Sequence, residues 1–267
     1  MKGLDTYPGL LLAGSQAGRN MLIAPQLARF IRLHLLRHMS GLASQQHCAR
    51  YAVIQGPPGG GKTASIEKVV TDLGWDLYTI PASRLSGETE GEPSRNLAQD
   101  EASVREISAR TGRPIAVKHD DADLSVIGAS ANVQYTVNTQ LTQHELMSIA
   151  DDRRRWTTAS GMPIPMFVTC NDATVFRGSQ FRDGRGQFFT HMVSREDKSR
   201  IVAAMLEIRN IAEARRLVAE HPDAPVSYFA TLKMRALDED LERLALNAVR
   251  AALLPVNYSR EFRTIPV

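Results

Sequence analysis

Eight consecutive residues, Gly56-Pro57-Pro58-Gly59-Gly60-Gly61-Lys62-Thr63, fit the pattern G-x-x-x-x-G-K-[ST] in full. Each part has a physical use. Glycines let backbone N–H groups turn inward around phosphate oxygens with no Cβ in the way. A helix that starts there points its positive end at the same anion. Lys62 is placed to reach the β- and γ-phosphates, and the Thr63 hydroxyl to ligate Mg²⁺. Average composition gives this pattern by chance in about one chain in a hundred of this size.

Downstream, residues 115–123, IAVKHDDAD, read as a strand ending in acids. Phosphoryl-transfer sites need a carboxylate at a strand end for the metal, and often a second to polarise the attacking water. Asp120 suits the first role and Asp121 the second, with Asp123 behind them. His119 is expected to be a hydrogen-bonded structural residue, and Lys118 is oddly polar for a central strand. The strand PMFVTC at 165–170 delivers Asn171 at its tip, where it can hold water or γ-phosphate. Arg182 and Arg185 flank a turn and can neutralise charge on a phosphoryl group in a neighbouring subunit.

These residues need a scaffold, and the pattern supplies one. An amphipathic helix is expected at 25–39, with Leu27, Phe30, Ile31, Leu35 and Met39 on one face. YAVIQ at 51–55 reads as a buried strand running into the glycine-rich turn. Helices are expected near 62–73, 93–111 and 134–152, and strands near 76–80, 114–119 and 165–170. From about 194 onward the pattern is helical only. The expectation is α/β: a P-loop NTPase three-layer αβα core with a parallel sheet, then a small all-α lid domain. The divisions are 1–20 as a loose lead-in, 21–193 as the core and 194–267 as the lid.

The chain has 267 residues, ample for a core, with a formal net charge of +3. Residues 1–50 hold six basic residues and one acid, so that segment is +5 and the remaining 217 residues are −2. Two cysteines, Cys48 and Cys170, cannot make a disulfide framework, and no run suits a transmembrane helix or signal peptide. A cytoplasmic protein without a membrane partner is expected.

Taken in order, these pieces resemble the AAA+ ATPases, and more narrowly Rubisco activase. The narrower likeness rests on QYTVNTQL at 134–141 with LMSIAD at 146–151, FRDGR at 181–185 followed by SRED at 194–197, and YFATLKMR at 228–235. Ile23-Ala24-Pro25 and Gly91-Glu92-Pro93 add to it. The resemblance implies an ATP hydrolase that works as a homo-oligomer, a hexameric ring or spiral, with ATP and Mg²⁺ between subunits. It implies nucleotide contacts from Gly56 through Ala64, including Pro57, Pro58, Gly59, Gly60, Gly61, Lys62 and Thr63, and also from Ile23. Thr63 and Asp120 would hold the metal, Asp121 and Asn171 would act on the water and phosphate, and Arg182 and Arg185 would be fingers in trans. Lys233 and Arg235 match the stretch by which the lid reports nucleotide state. Residues 85–92 and 124–133 would be pore loops.

Only about 20 residues precede the first match, and the tail after Arg235 is short, so the segments by which activases engage Rubisco are not seen. The expected activity is remodelling of a protein client other than Rubisco. Two alternatives stand beside it. One is a DNA-associated loader or regulator, motivated by the basic first 50 residues but not favoured at +5. The other is a slow ATP-dependent assembly switch, motivated by Asp121 where many AAA+ proteins carry the longer Glu.

Overall fold

The computed structural model describes residues 4, 7–15, 21–40, 48–86, 89–124, 133–176 and 184–250. In chain order the elements are β1 (Leu10–Leu11), α1 (Pro25–Met39), β2 (Tyr51–Gln55), α2 (Lys62–Asp72), β3 (Asp76–Pro81), α3 (Ala82–Leu85) and α4 (Glu92–Thr111). They continue with β4 (Ile115–Asp120), α5 (Val133–Asp151), β5 (Met166–Cys170), β6 (Gly186–Thr190), α6 (Arg195–Met205), α7 (Ile211–Glu220) and α8 (Val226–Arg250). Pro25 and Pro93 sit in the first turns of α1 and α4, where a missing N–H costs nothing.

One six-stranded sheet runs in the order β1-β3-β4-β5-β2-β6. All neighbours are parallel except β1, which pairs antiparallel with β3. The two-residue period of the strands splits the core. Tyr51, Val53, Ile115, Val117, Met166 and Val168 face α4 and α5. Ala52, Ile54, Ala116 and Phe167 face α1 and α2. Helices thus cover both faces, as the expected αβα layering requires. Strands this apolar on both sides read as continuous hydrophobic runs, which is why YAVIQ and MFVTC were legible.

Two strands were not expected. Leu10–Leu11 lies inside the stretch read as a loose lead-in; two residues carry no periodic signal, and the Ala13 N–H adds a bond to buried Asp76 at 2.8 Å. β6 is an edge strand behind a turn-rich RDGRG, and its alternating burial hides it from a search for apolar runs.

Lys118 resolves physically. It is fully buried on the α2 side of β4, and its ammonium meets Glu67 at 2.7 Å and Asp120 at 3.5 Å. His119 differs from expectation. It is buried on the opposite face near Tyr51, neither ring nitrogen has a partner among the described residues, and burial lowers its pKa to about 4.

The last three helices have their own small core of Val202, Val218 and Phe229. Among the described residues no helix is long and apolar enough to cross a membrane, and Cys48 and Cys170 are buried free thiols.

Candidate active site

The chain leaves the C-terminal end of β2 into the glycine-rich loop and enters α2 at Lys62. Lys62 is 6% exposed, and a buried ammonium is costly unless its protons are taken up. It donates to the carbonyls of Gly56 at 2.6 Å and Pro57 at 3.1 Å, and to Asn171 Oδ1 at 3.1 Å. Burial lowers its pKa. Among the described residues no acceptor takes the N–H of Gly59, Gly60 or Gly61. Three neighbouring donors at the start of a helix make a cradle suited to an anion.

Sheet order brings in the rest. β5 lies between the acid strand β4 and the phosphate strand β2, so its tip separates the two. Thr169 and Phe167 share a parity, which points the Thr169 hydroxyl to the α2 side. That hydroxyl accepts from the Asp121 N–H at 2.9 Å and donates to Asp120 Oδ1 at 2.8 Å. The Thr63 hydroxyl donates to the same oxygen at 2.8 Å. The Ala122 N–H reaches the Thr169 carbonyl at 2.9 Å. Asp121 is thereby held in a left-handed turn, φ 47°, a conformation Asp tolerates better than most residues. Burial pushes the Asp121 carboxyl up, and the charges of Asp120 and Asp123 add to it. Asp123, 1% exposed, accepts the Asn171 N–H at 2.9 Å and so fixes the strand tip that meets Lys62.

These groups open on a cleft of about 400 Å³. Its floor is Gly59–Ala64 with Pro58, Asp121 and Asn171; its far wall is Met21 with Ile201, Met205, Val226 and Ser227 from the C-terminal helices. The helices press directly on the loop. The Ser227 N–H donates to the Gly59 carbonyl at 3.2 Å, and a Cβ on Gly59 would collide with the Ser227 hydroxyl. Gly59 also has φ 71°, so glycine is required twice over.

Lys62, Thr63, Ala64, Asp120, Asp121 and Asn171 therefore come together with the glycine-rich loop. The other expected residues that are described lie elsewhere. Ile23 packs against the core under α1, and Met21 lines the cleft instead. Lys233 is paired with Glu207 at 2.9 Å, and Arg235 is exposed; neither lines the cleft. Arg185 lies just before β6, and its carbonyl accepts the Tyr51 N–H at 3.0 Å, at the end of β2 opposite the loop. Its guanidinium grips Asp151 through two bonds, one of them Nε to Oδ1 at 2.7 Å. Arg182, residues 87–88 of the first expected pore loop and residues 125–132 of the second lie outside the described residues.

Thr169, Met21, Ile201, Met205 and Ser227 were not foreseen. Thr169 had a signal, as the one polar side chain in the apolar run MFVTC. The C-terminal residues had none, because nothing local in α6 or α8 marks which side meets a loop far away in the chain.

The donor set fits Mg²⁺. Thr63 and Asp120 present hard oxygen atoms side by side, and among the described residues no group of three or more His, Cys, Asp or Glu could hold a metal alone. Mg²⁺ in such sites takes one or two protein oxygens and completes its shell with phosphate and water.

The sequence pattern described as "ATPase family associated with various cellular activities (AAA)" matches residues 52–192. Among curated proteins, ribulose bisphosphate carboxylase/oxygenase activase from Nostoc sp. is 26% identical over 255 residues, covering 89% of this chain and 61% of that protein. The same-named protein from Anabaena sp. is 25% identical, covering 82% and 54%. The chloroplastic one from Solanum pennellii is 26% identical, covering 71% and 43%. The chain thus spans about half the length of the curated relatives it matches.

Proposed function

The chain belongs to the AAA ATPase family, and from that premise we propose that it hydrolyses ATP in the cleft above the glycine-rich loop and uses the cycle to remodel a protein partner. The observation that carries this is the network joining Thr63, Asp120, Thr169 and Asp121 on one side and Lys62, Asn171 and Asp123 on the other.

The loop amides and Lys62 bind the triphosphate, with the ammonium exchanging its loop carbonyls for β- and γ-oxygens. Thr63 and Asp120 would hold Mg²⁺, which when bound neutralises charge on the phosphates. Asp121 accepts the proton of the attacking water; its raised pKa makes it a stronger base than an ordinary carboxylate. Asn171 orients the γ-phosphate or the water. Met21, Ile201, Met205 and Val226 offer an apolar wall to the base. The helices from residue 194 onward serve as a lid whose position depends on nucleotide.

Assembly is part of the same proposal. β2 is five residues long, so the end of the sheet holding Arg185 is roughly 16 Å from the loop at about 3.3 Å per residue. Arg185 cannot serve its own phosphate, which favours service to the site of a neighbouring copy in a ring or spiral. The curated relatives are named as activases of Rubisco; the client of this chain is proposed to be a protein other than Rubisco. The test is ATP turnover by the purified protein. Lys62→Ala should abolish nucleotide binding, and Asp121→Asn should bind but turn over at least 100-fold more slowly, on the order of a lost general base. Unchanged turnover in both variants would overturn the assignment.

A further inference from the structure

β6 ends one residue before His191, and there the chain runs against the phosphate loop. The His191 N–H donates to the Gln55 carbonyl at 2.7 Å, which extends the β2–β6 ladder by one rung. One residue further along, a Cβ on Gly56 would collide with the His191 carbonyl oxygen, so the two backbones touch. The imidazole lies over the loop, with Nε2 2.8 Å from the Gly60 carbonyl oxygen. The residue is 3% exposed, and its ring stacks on Phe189 at 6.4 Å between centroids. Phe189 in turn meets Phe30 of α1 at 5.1 Å. A carbonyl only accepts, so the hydrogen sits on Nε2. Burial lowers the pKa of the ring, which is neutral at pH 7 and commits its single N–H to Gly60.

Three residues later Ser194 caps α6, its hydroxyl accepting from the Asp197 N–H at 3.1 Å. The next turns of α6 carry Ile201 and Met205 on the cleft wall. The neighbouring loop carbonyl, Gly59, is held by Ser227 of α8. Both carbonyls at the loop apex are therefore engaged, that of Gly59 by the first turn of α8 on the cleft wall and that of Gly60 by the residue that leads into α6.

We propose that His191 is a positioning residue for the nucleotide reaction, whose Nε2–H holds the Gly60 carbonyl away from the cleft and passes movement of the phosphate loop to lid helix α6. The proposal rests on the reading of the cleft as an ATP site. His191 acts through the loop: with the Gly60 carbonyl engaged, the adjoining amides stay turned to the phosphates. A loop that shifts on binding carries the histidine with it, because the ladder rung at Gln55 and the side-chain bond at Gly60 grip it at two points. The connector to Ser194 is too short to absorb that shift, so α6 moves too.

The test compares wild type, His191→Ala and His191→Gln, the last keeping an N–H donor. Three quantities are read: ADP affinity by titration, KM and kcat for ATP, and hydrogen exchange of residues 195–205 with and without nucleotide. His191→Ala should raise the ATP KM roughly tenfold, as loss of a buried hydrogen bond does, and should lose the nucleotide-induced protection of 195–205. His191→Gln should recover most of both. An alanine variant with wild-type KM and wild-type protection overturns the proposal, as does a glutamine variant no better than alanine. Should the alanine variant not fold, ¹⁵N-histidine spectra of the wild type decide: an Nε2–H tautomer whose signal moves on adding ADP supports the role, and an Nδ1–H tautomer or an unmoved signal overturns it. A wild type that binds no nucleotide sinks the ATP reading itself, and that result is read separately in the first titration.

Discussion

The Thr169 hydroxyl accepts from the Asp121 backbone and donates to Asp120, so one small side chain orients both acids. Thr169→Val keeps the shape and removes both bonds. Turnover should fall by at least tenfold, while stability drops by only about 1–2 kcal/mol; ATP turnover and a melting curve on the same sample check it. Asp121 makes a second prediction. Its pKa is raised by burial and by two neighbouring acids, so the proton must leave before the carboxylate can act as base. The rate should therefore fall as pH drops at values above the usual carboxylate pKa of 3.8, and a kcat–pH profile would show that limb. A motif made Lys62 and Thr63 legible from sequence alone. Asp120, Asp121 and Asn171 were legible as polar ends of apolar strands. Met21 and Ser227 were not, because their role comes from packing across the molecule.

At the scale of elements, the C-terminal helices are held to the loop by contact at Gly59. Gly59→Ala adds a Cβ where the Ser227 hydroxyl sits and forces a left-handed alanine, so α8 must back away. Nucleotide affinity should drop by at least tenfold with the sheet intact, read by ADP titration beside far-ultraviolet circular dichroism. The small core under these helices is similarly exposed to test. Phe229 is fully buried among few partners, and Phe229→Ala should cost about 3–5 kcal/mol locally. Hydrogen exchange should then rise in α6–α8 and not in β2–β5. Sequence patterning found the central strands and long helices because both faces of the sheet are covered. It missed β1 and β6 because edge strands are short and half exposed, and their pairing is decided by neighbours.

At the scale of the whole molecule, three of the four histidines buried among the described residues set an acid limit. Burial holds His34 well below its usual value of 6.5, and brings His38 and His119 to about 4. Above pH 6.5 these groups are neutral folded and unfolded, and their contribution is fully present. As pH falls from 6.5 towards 4 the unfolded chain takes protons the folded one refuses, and stability is lost at up to about 1.4 kcal/mol per pH unit for each. Urea midpoints at pH 7 and pH 5 should differ accordingly; equal midpoints would mean the rings are accessible. The proposed assembly is the other property of this scale. Arg185 sits at the N-terminal end of the strands, away from its own loop at their C-terminal end, and the proposed assembly gives it the site of a second copy. Phosphate release from ATP, measured per chain across a wide range of protein concentration, tests this most directly. The account predicts turnover per chain that rises with concentration and reaches a plateau, with Asp121→Asn inactive throughout. No phosphate release, or the same turnover per chain at every concentration, would contradict it.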